Sequence, residues 1–181
     1  MKSLGEVYIF FRNMDIEDIT KYINEYDIEK SQDINLETIL FVIYDLYKYT
    51  PSKDTLEDKI KRSLQYKFRE SLKQKYSKCV ISNRNVEICE ACHIIPFCES
   101  ELENKYNINN GLLLSSDLHK LFDKFMLSIN EKMCVQLSKN ILNDESYKDY
   151  HKYHNKKLNL NKETMKNLSH HYKTFSKLNI I

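Results

Sequence analysis

The sequence predicts an α+β protein: a helical first part, a middle of short strands around one helix, and a helical tail. Three observations carry the prediction. Apolar residues recur at helical spacing through most of residues 1–78, short β-type runs crowd between Cys79 and Ser138, and the remainder is lysine-rich with helical texture. The 181 residues suffice for one ordinary domain with a real core. With 2 Gly and 2 Pro there is little material for flexible linkers. Four stretches are expected: an acidic helical lobe over 1–51, a basic approach helix over 52–78, the mixed core over 79–138 and a basic helical extension over 139–181.

Taken in order, "EVYIFFR" at residues 6–12 has strand composition, whereas "MDIEDITKYINEYDIEK" and "NLETILFVIYDLYKY" have helical spacing, the second stopping before Pro51. Ser52 or Asp54 is placed to cap the next helix, in which Ile60, Leu64, Phe68 and Leu72 form an apolar stripe. From Cys79 the texture changes. "CVIS" and "VEICEACHIIPF" read as short strands of a hairpin, with Pro96 where the ladder ends. "NINNG" is a turn signal in which Gly111 can take positive φ; "LLL" and a helix starting at Ser115 or Ser116 follow. "FMLSI" and "CVQLS" read as two more strands before the tail.

Charge divides along the same lines. Residues 1–47 hold 4 basic against 10 acidic side chains, 48–78 hold 10 against 4, 79–138 hold 5 against 8, and 139–181 hold 9 against 4. An acidic centre between basic flanks suits a protein that grips phosphates beside a cation site, although such blocks are more commonly solvated helix faces. The longest aliphatic or aromatic run, "ILFVI" at 39–43, is too short to span a bilayer, and the N-terminus has no signal-peptide layout. An intracellular protein without a membrane partner is therefore expected, its 5 cysteines reduced and serving as buried thiols or metal ligands.

On a helical wheel, "SSDLHKLFDKF" places Leu118, Leu121, Phe122 and Phe125 on one stripe, His119 and Asp123 on its edge, and Lys120 and Lys124 on the opposite face. The edge of a core is where a metal ligand belongs, held by packing yet open to substrate. Taken alone, such a pair is more commonly simple charge decoration.

Three runs alter that balance: "HIIP" at 93–96, "NGLLL" at 110–114 and "HKLFD" at 119–123. Together they resemble the HNH endonucleases, whose ββα-metal motif sets a His on a first strand, an Asn near a second and a His on the following helix, here His93, Asn110 and His119. The resemblance extends over about residues 62–130. It implies a ββα-metal core, phosphodiester hydrolysis leaving a 5′-phosphate, a nucleic acid substrate expected to be double-stranded DNA, and one divalent ion, Mg²⁺ first, with Mn²⁺ or Zn²⁺ as alternatives. His93 would then be the general base, which suits its ordinary pKa of about 6.5. Asn110 would bond backbone across the loop and steady the His93 strand, and His119 would bind the ion. Lys61, Arg62, Arg69, Lys120 and Lys124 are the basic side chains expected to contact nucleic acid. The oligomeric state stays open, a homodimer included.

Where the wider family commonly has a metal-binding Asp or His, just before the strand histidine, this chain has Cys92. Asp123, one turn after His119 and bearing a hard oxygen, is the expected completion of the site. Cys79, Cys89, Cys92 and Cys98 raise a rival, a zinc-stabilised interaction domain, but lack a second closely spaced pair. A binding module of the same fold without catalysis is the other alternative. "HKYH" at 151–154 and the pair His170 and His171 are expected to be exposed or packing residues.

Overall fold

The structure, a computed structural model, describes residues 3–25, 36–47, 53–100 and 102–179. The chain divides into two compact units, Met1–Glu70 with Ser100–Asn107, and Ser71–Glu99 with Ile108–Ile181.

The first unit is helical: α1 (Leu4–Arg12), α2 (Ile16–Glu25), α3 (Leu36–Tyr47), most of α4 (Lys53–Tyr76) and the short α5 (Leu102–Lys105). The expected strand over "EVYIFFR" is a helix. Ser3 and Glu6 form a reciprocal capping box, with the Ser3 N–H donating to Glu6 Oε2 at 2.7 Å, and this satisfies amides that an incipient helix leaves open. Val7 and Phe11, four apart, then share one fully buried face, so packing at helical period outweighs the strand composition of the segment. Ile19, Ile23, Ile39 and Val42 are fully buried as well, and the Tyr8 hydroxyl donates to Asp45 on α3. On α4 the expected stripe is buried at Leu64, Phe68 and Leu72. Asp54 lies inside that helix, while Pro51, Ser52 and the Ile60 side chain fall outside the described residues.

In the second unit β1 (Cys89–His93) pairs antiparallel with β2 (Gly111–Ser115), which runs directly into α6 (Ser116–Asp123). β3 (Leu127–Ile129) and β4 (Val135–Leu137) form a second hairpin, followed by α7 (Lys139–Asn143), α8 (Lys148–His151) and α9 (Lys162–Asn179). Three local expectations are corrected. "CVIS" is a turn: Asn83 N–H bonds Cys79 O at 3.0 Å and Cys79 N–H bonds Arg84 O at 3.0 Å, with Asn83 at φ 59°. The polar "SNRN" stretch folds back at once, so the strand partner of Cys89–His93 comes from residues 111–115 instead. Gly111 is a strand residue opposite His93, and neither glycine has positive φ; a 3-10 turn over Ile108–Asn110 makes the reversal before it. Finally, α6 stops at Asp123, two residues short of Phe125.

All five residues of β2 are buried, because α6 covers one side and the 78–85 turn reaches the other through a Val80 N–H bond to Leu113 O at 3.0 Å. Leu112, Leu114, Leu118, Phe122, Leu127, Ile129 and Leu168 form the continuous core of this unit, in which α9 lies against β3. Burial of such side chains contributes roughly 1.5–3 kcal/mol each before conformational entropy is counted. Among the described residues no helix is long and apolar enough to cross a membrane.

Candidate active site

Strand alternation decides which side chains of β1 meet the helix. Glu90 and Cys92 share one face, and both reach α6: Glu90 Oε2 lies 2.7 Å from His119 Nδ1, and Cys92 Sγ lies 3.9 Å from Asp123 Oδ1. Ala91 and His93 share the other face. A cavity of about 350 Å³ nonetheless joins this second face to the helix, with Ala91 and His93 of β1 and His119 and Asp123 of α6 in its wall beside Phe97, Phe125 and His171. The structure therefore brings His93, His119 and Asp123 to one place.

His119 is held between two carboxylates. Its side chain is 20% exposed, its Nδ1 faces Glu90, and its Nε2 lies 3.3 Å from Asp123 Oδ2. When Nδ1–H donates to Glu90, the Nε2 lone pair faces a carboxylate oxygen, an arrangement that a metal ion between them would satisfy. Two ligands at right angles about 2.1 Å from a hard ion lie about 3 Å apart, so this pair fits the edge of such a site. The Glu90–His119 contact also sets ring orientation and tautomer as carboxylate partners of metal-bound histidines do. His119 draws the Glu90 carboxyl below its ordinary pKa, chiefly by that hydrogen bond.

Cys92 belongs to the same cluster. Its Sγ and ligand atoms of His119 and Asp123 lie within 4.8 Å of one another, the metal-compatible group found among the described residues. It is fully buried, and burial, followed by the nearby Asp123 and Glu90 carboxylates, pushes its thiol pKa well up. A neutral thiol suits a hard ion poorly; a soft ion would have to displace its proton. Cys79, Cys89 and Cys98 are not part of this group, and all five cysteines are free.

Asn110 is fully buried beside the end of β1. Its Oδ1 accepts from Ile95 N–H at 2.9 Å, its Nδ2 donates to Ile95 O at 3.2 Å, and its own carbonyl accepts from Ile94 N–H at 2.9 Å. Three bonds thus hold the backbone immediately after His93. Neighbouring Asn109 ties the same loop elsewhere, accepting from Lys75 Nζ at 3.0 Å and, through its carbonyl, from Asn167 Nδ2 at 3.0 Å. The basic residues expected to contact nucleic acid are exposed, Lys61, Arg62 and Arg69 on α4 and Lys120 and Lys124 on α6 or at its end.

Glu90 and Asn109 are the residues that the sequence passes over, whereas His171, expected to be an exposed or packing residue, is a packing one. Period-two alternation with Cys92 was a signal for Glu90, but only the pairing of β1 with its neighbours shows which face meets the helix. His171, on α9, is 3% exposed and stacked on Phe122 at 3.7 Å. Its Nδ1 lies 2.8 Å from Ser128 Oγ and its Nε2 3.1 Å from Phe122 O; burial lowers its pKa to about 4. His151 Nε2 bonds Ile141 O at 2.8 Å and His154 Nδ1 accepts from Leu137 N–H at 3.2 Å, both structural contacts.

Two antiparallel strands lead into one helix in a ββα arrangement, with a strand histidine and a helix histidine lining one cavity. Residues 79–130 match the family model of the HNH endonucleases, a match that begins at Cys79 and so does not take in the approach helix. No curated protein matches the chain.

Proposed function

We propose that this protein is a metal-dependent endonuclease that hydrolyses phosphodiester bonds in DNA. The observation that carries the reading is the single cavity shared by His93, His119 and Asp123 within the segment that matches the HNH endonucleases. His93 takes the proton from the attacking water. Asn110 keeps the strand end that bears His93 in place, acting through backbone alone. His119 Nε2 and Asp123 would hold the divalent ion, with Glu90 fixing the imidazole, and Mg²⁺ is the expected ion because a carboxylate and an imidazole outweigh a buried neutral thiol. Bound there, the ion would stabilise negative charge on the scissile phosphate and on its leaving oxygen. The catalytic core then spans 79–138, working inside the cell where thiols stay reduced, and Lys61, Arg62, Arg69, Lys120 and Lys124 contact the phosphate backbone. A second reading has its own support, since Cys92 lies within ligand distance of the pair: a softer ion such as Zn²⁺ held by Cys92, His119 and Asp123.

Plasmid cleavage under added Mg²⁺, Mn²⁺ or Zn²⁺ tests both. His93→Ala should lose cleavage by roughly 100- to 10,000-fold while folding and DNA affinity persist; equal cleavage by both proteins would sink the assignment. Asp123→Asn should weaken Mg²⁺ activation strongly and Cys92→Ala barely. The reverse outcome selects the soft-ion reading.

A further inference from the structure

The end of α6 is made in a way its sequence disfavours. Phe125 N–H bonds Phe122 O at 2.9 Å and Met126 N–H bonds Leu121 O at 2.9 Å, the two reverse bonds of a Schellman motif, with Phe125 between them at φ 50°. Glycine usually fills this place, since a Cβ crowds the backbone in the left-handed region. The other described residues with positive φ are Ser77, Asn83, Met133 and Asn155; a bulky aromatic ring is the least suited to it.

What holds Phe125 there is visible. Asn179 Nδ2 donates to its carbonyl at 3.0 Å, and its ring lies on His171 at 4.6 Å and 26°. Phe122 already covers one face of His171 at 3.7 Å and 10°. A ring so close and parallel leaves that face full, so Phe125 must lie on the other. Phe122, His171 and Phe125 therefore form a column that starts at a fully buried ring and ends at a half-buried one. All three rings line the cavity that holds His93 and His119, and Phe125 is the one among them that is not buried. A glycine would make the same turn without strain and without the ring, and strain kept beside a reactive site points to a use for what causes it.

We propose that Phe125 is a positioning residue: its ring extends the column by one unpaired nucleobase next to the scissile phosphate. This rests on the nuclease reading above and narrows its substrate. A base within an intact duplex already has both faces stacked, so the preferred substrate is single-stranded or locally opened DNA, where a base is free to stack on an aromatic ring.

Single-stranded oligonucleotides carrying 2-aminopurine at successive positions, bound in EDTA, read stacking without cleavage; the same series with one abasic position is then cut under Mg²⁺. The wild type should quench one 2-aminopurine position, and an abasic site there should raise KM by about 5- to 150-fold, with little change in kcat. Phe125→Gly should lose that quenching, show a similar KM rise on intact substrate and become insensitive to the abasic site, while Phe125→Trp restores both signals. Thermal melting checks that each variant is folded. No position-specific quenching by the wild type, or equal quenching and KM in wild type and Phe125→Gly, overturns the proposal and leaves Phe125 a packing residue, even if cleavage is normal. Quenching without cleavage by any ion upholds the stacking and overturns the nuclease reading instead.

Discussion

His119 and His171 border one cavity, yet their surroundings are opposites. His119 sits at the rim between Glu90 and Asp123, with one ring nitrogen on each carboxylate. His171 lies inside the core, stacked on Phe122, with Ser128 and a backbone carbonyl on its nitrogens and its pKa lowered to about 4 by burial. The first environment favours a cation at the ring; the second excludes charge from it. An imidazole is thus a reactive group or a flat apolar spacer according to what stands within about 4 Å of it.

The sharpest way to break this contrast is to remove each ring in turn. His119→Ala should lose roughly 100- to 1,000-fold of Mg²⁺-supported cleavage, the several kcal/mol assigned to metal catalysis, with thermal melting nearly unchanged. Substantial cleavage by this variant would show that the rim histidine is decoration.

Acid sharpens the other half. In the unfolded chain His171 titrates near 6.5, and in the folded protein near 4, so the unfolded chain takes up the extra proton as pH falls through that window. The contribution of the neutral buried ring is full above about pH 6.5, declines on acidification and is lost by about pH 4, roughly 3 kcal/mol in all. The stability of His171→Gln, followed by denaturant unfolding, should vary less with pH across that range than that of the wild type. Parallel curves would mean that His171 is not buried neutral.

A smaller effect is expected at Glu90, which under the proposed reading would orient His119 rather than bind the ion. Glu90→Gln should weaken Mn²⁺ binding, read by calorimetry, by about 10- to 100-fold, as for other partners of metal-bound histidines. An unchanged affinity would reduce the Glu90–His119 contact to a surface pair. Smallest of all, Lys120→Ala combined with Lys124→Ala should flatten the log–log salt dependence of DNA binding by up to about 2, leaving both histidines untouched. No change in slope would assign these exposed lysines to solvent.

Much of the second unit was legible because its signals are local. "FMLSI" and "CVQLS" became β3 and β4, and the start of α6 follows the Ser115–Ser116 pair. Misreadings came where two local signals competed. In "EVYIFFR" the strand composition concealed a capping box at Ser3 and Glu6, and the box with an i, i+4 buried pair prevailed. Around Phe125 the wheel continued a helix that the structure ends early, because apolar periodicity cannot register a left-handed residue that closes the last turn.

By itself the sequence determined the residue types of the candidate site and their order along the chain: a strand histidine, a loop asparagine, and a histidine with its i+4 aspartate on one helix. Those relations run through neighbours within a few residues, where backbone periodicity sets the geometry. Only the tertiary structure decided that Glu90 grips His119 from 29 positions away, that Cys92 faces Asp123, and that His171, 43 positions beyond Ser128, closes the wall behind Phe125. Such contacts depend on which face of β1 meets α6 and on how α9 lies against β3, and both are settled by the joint burial of apolar side chains that no single segment specifies.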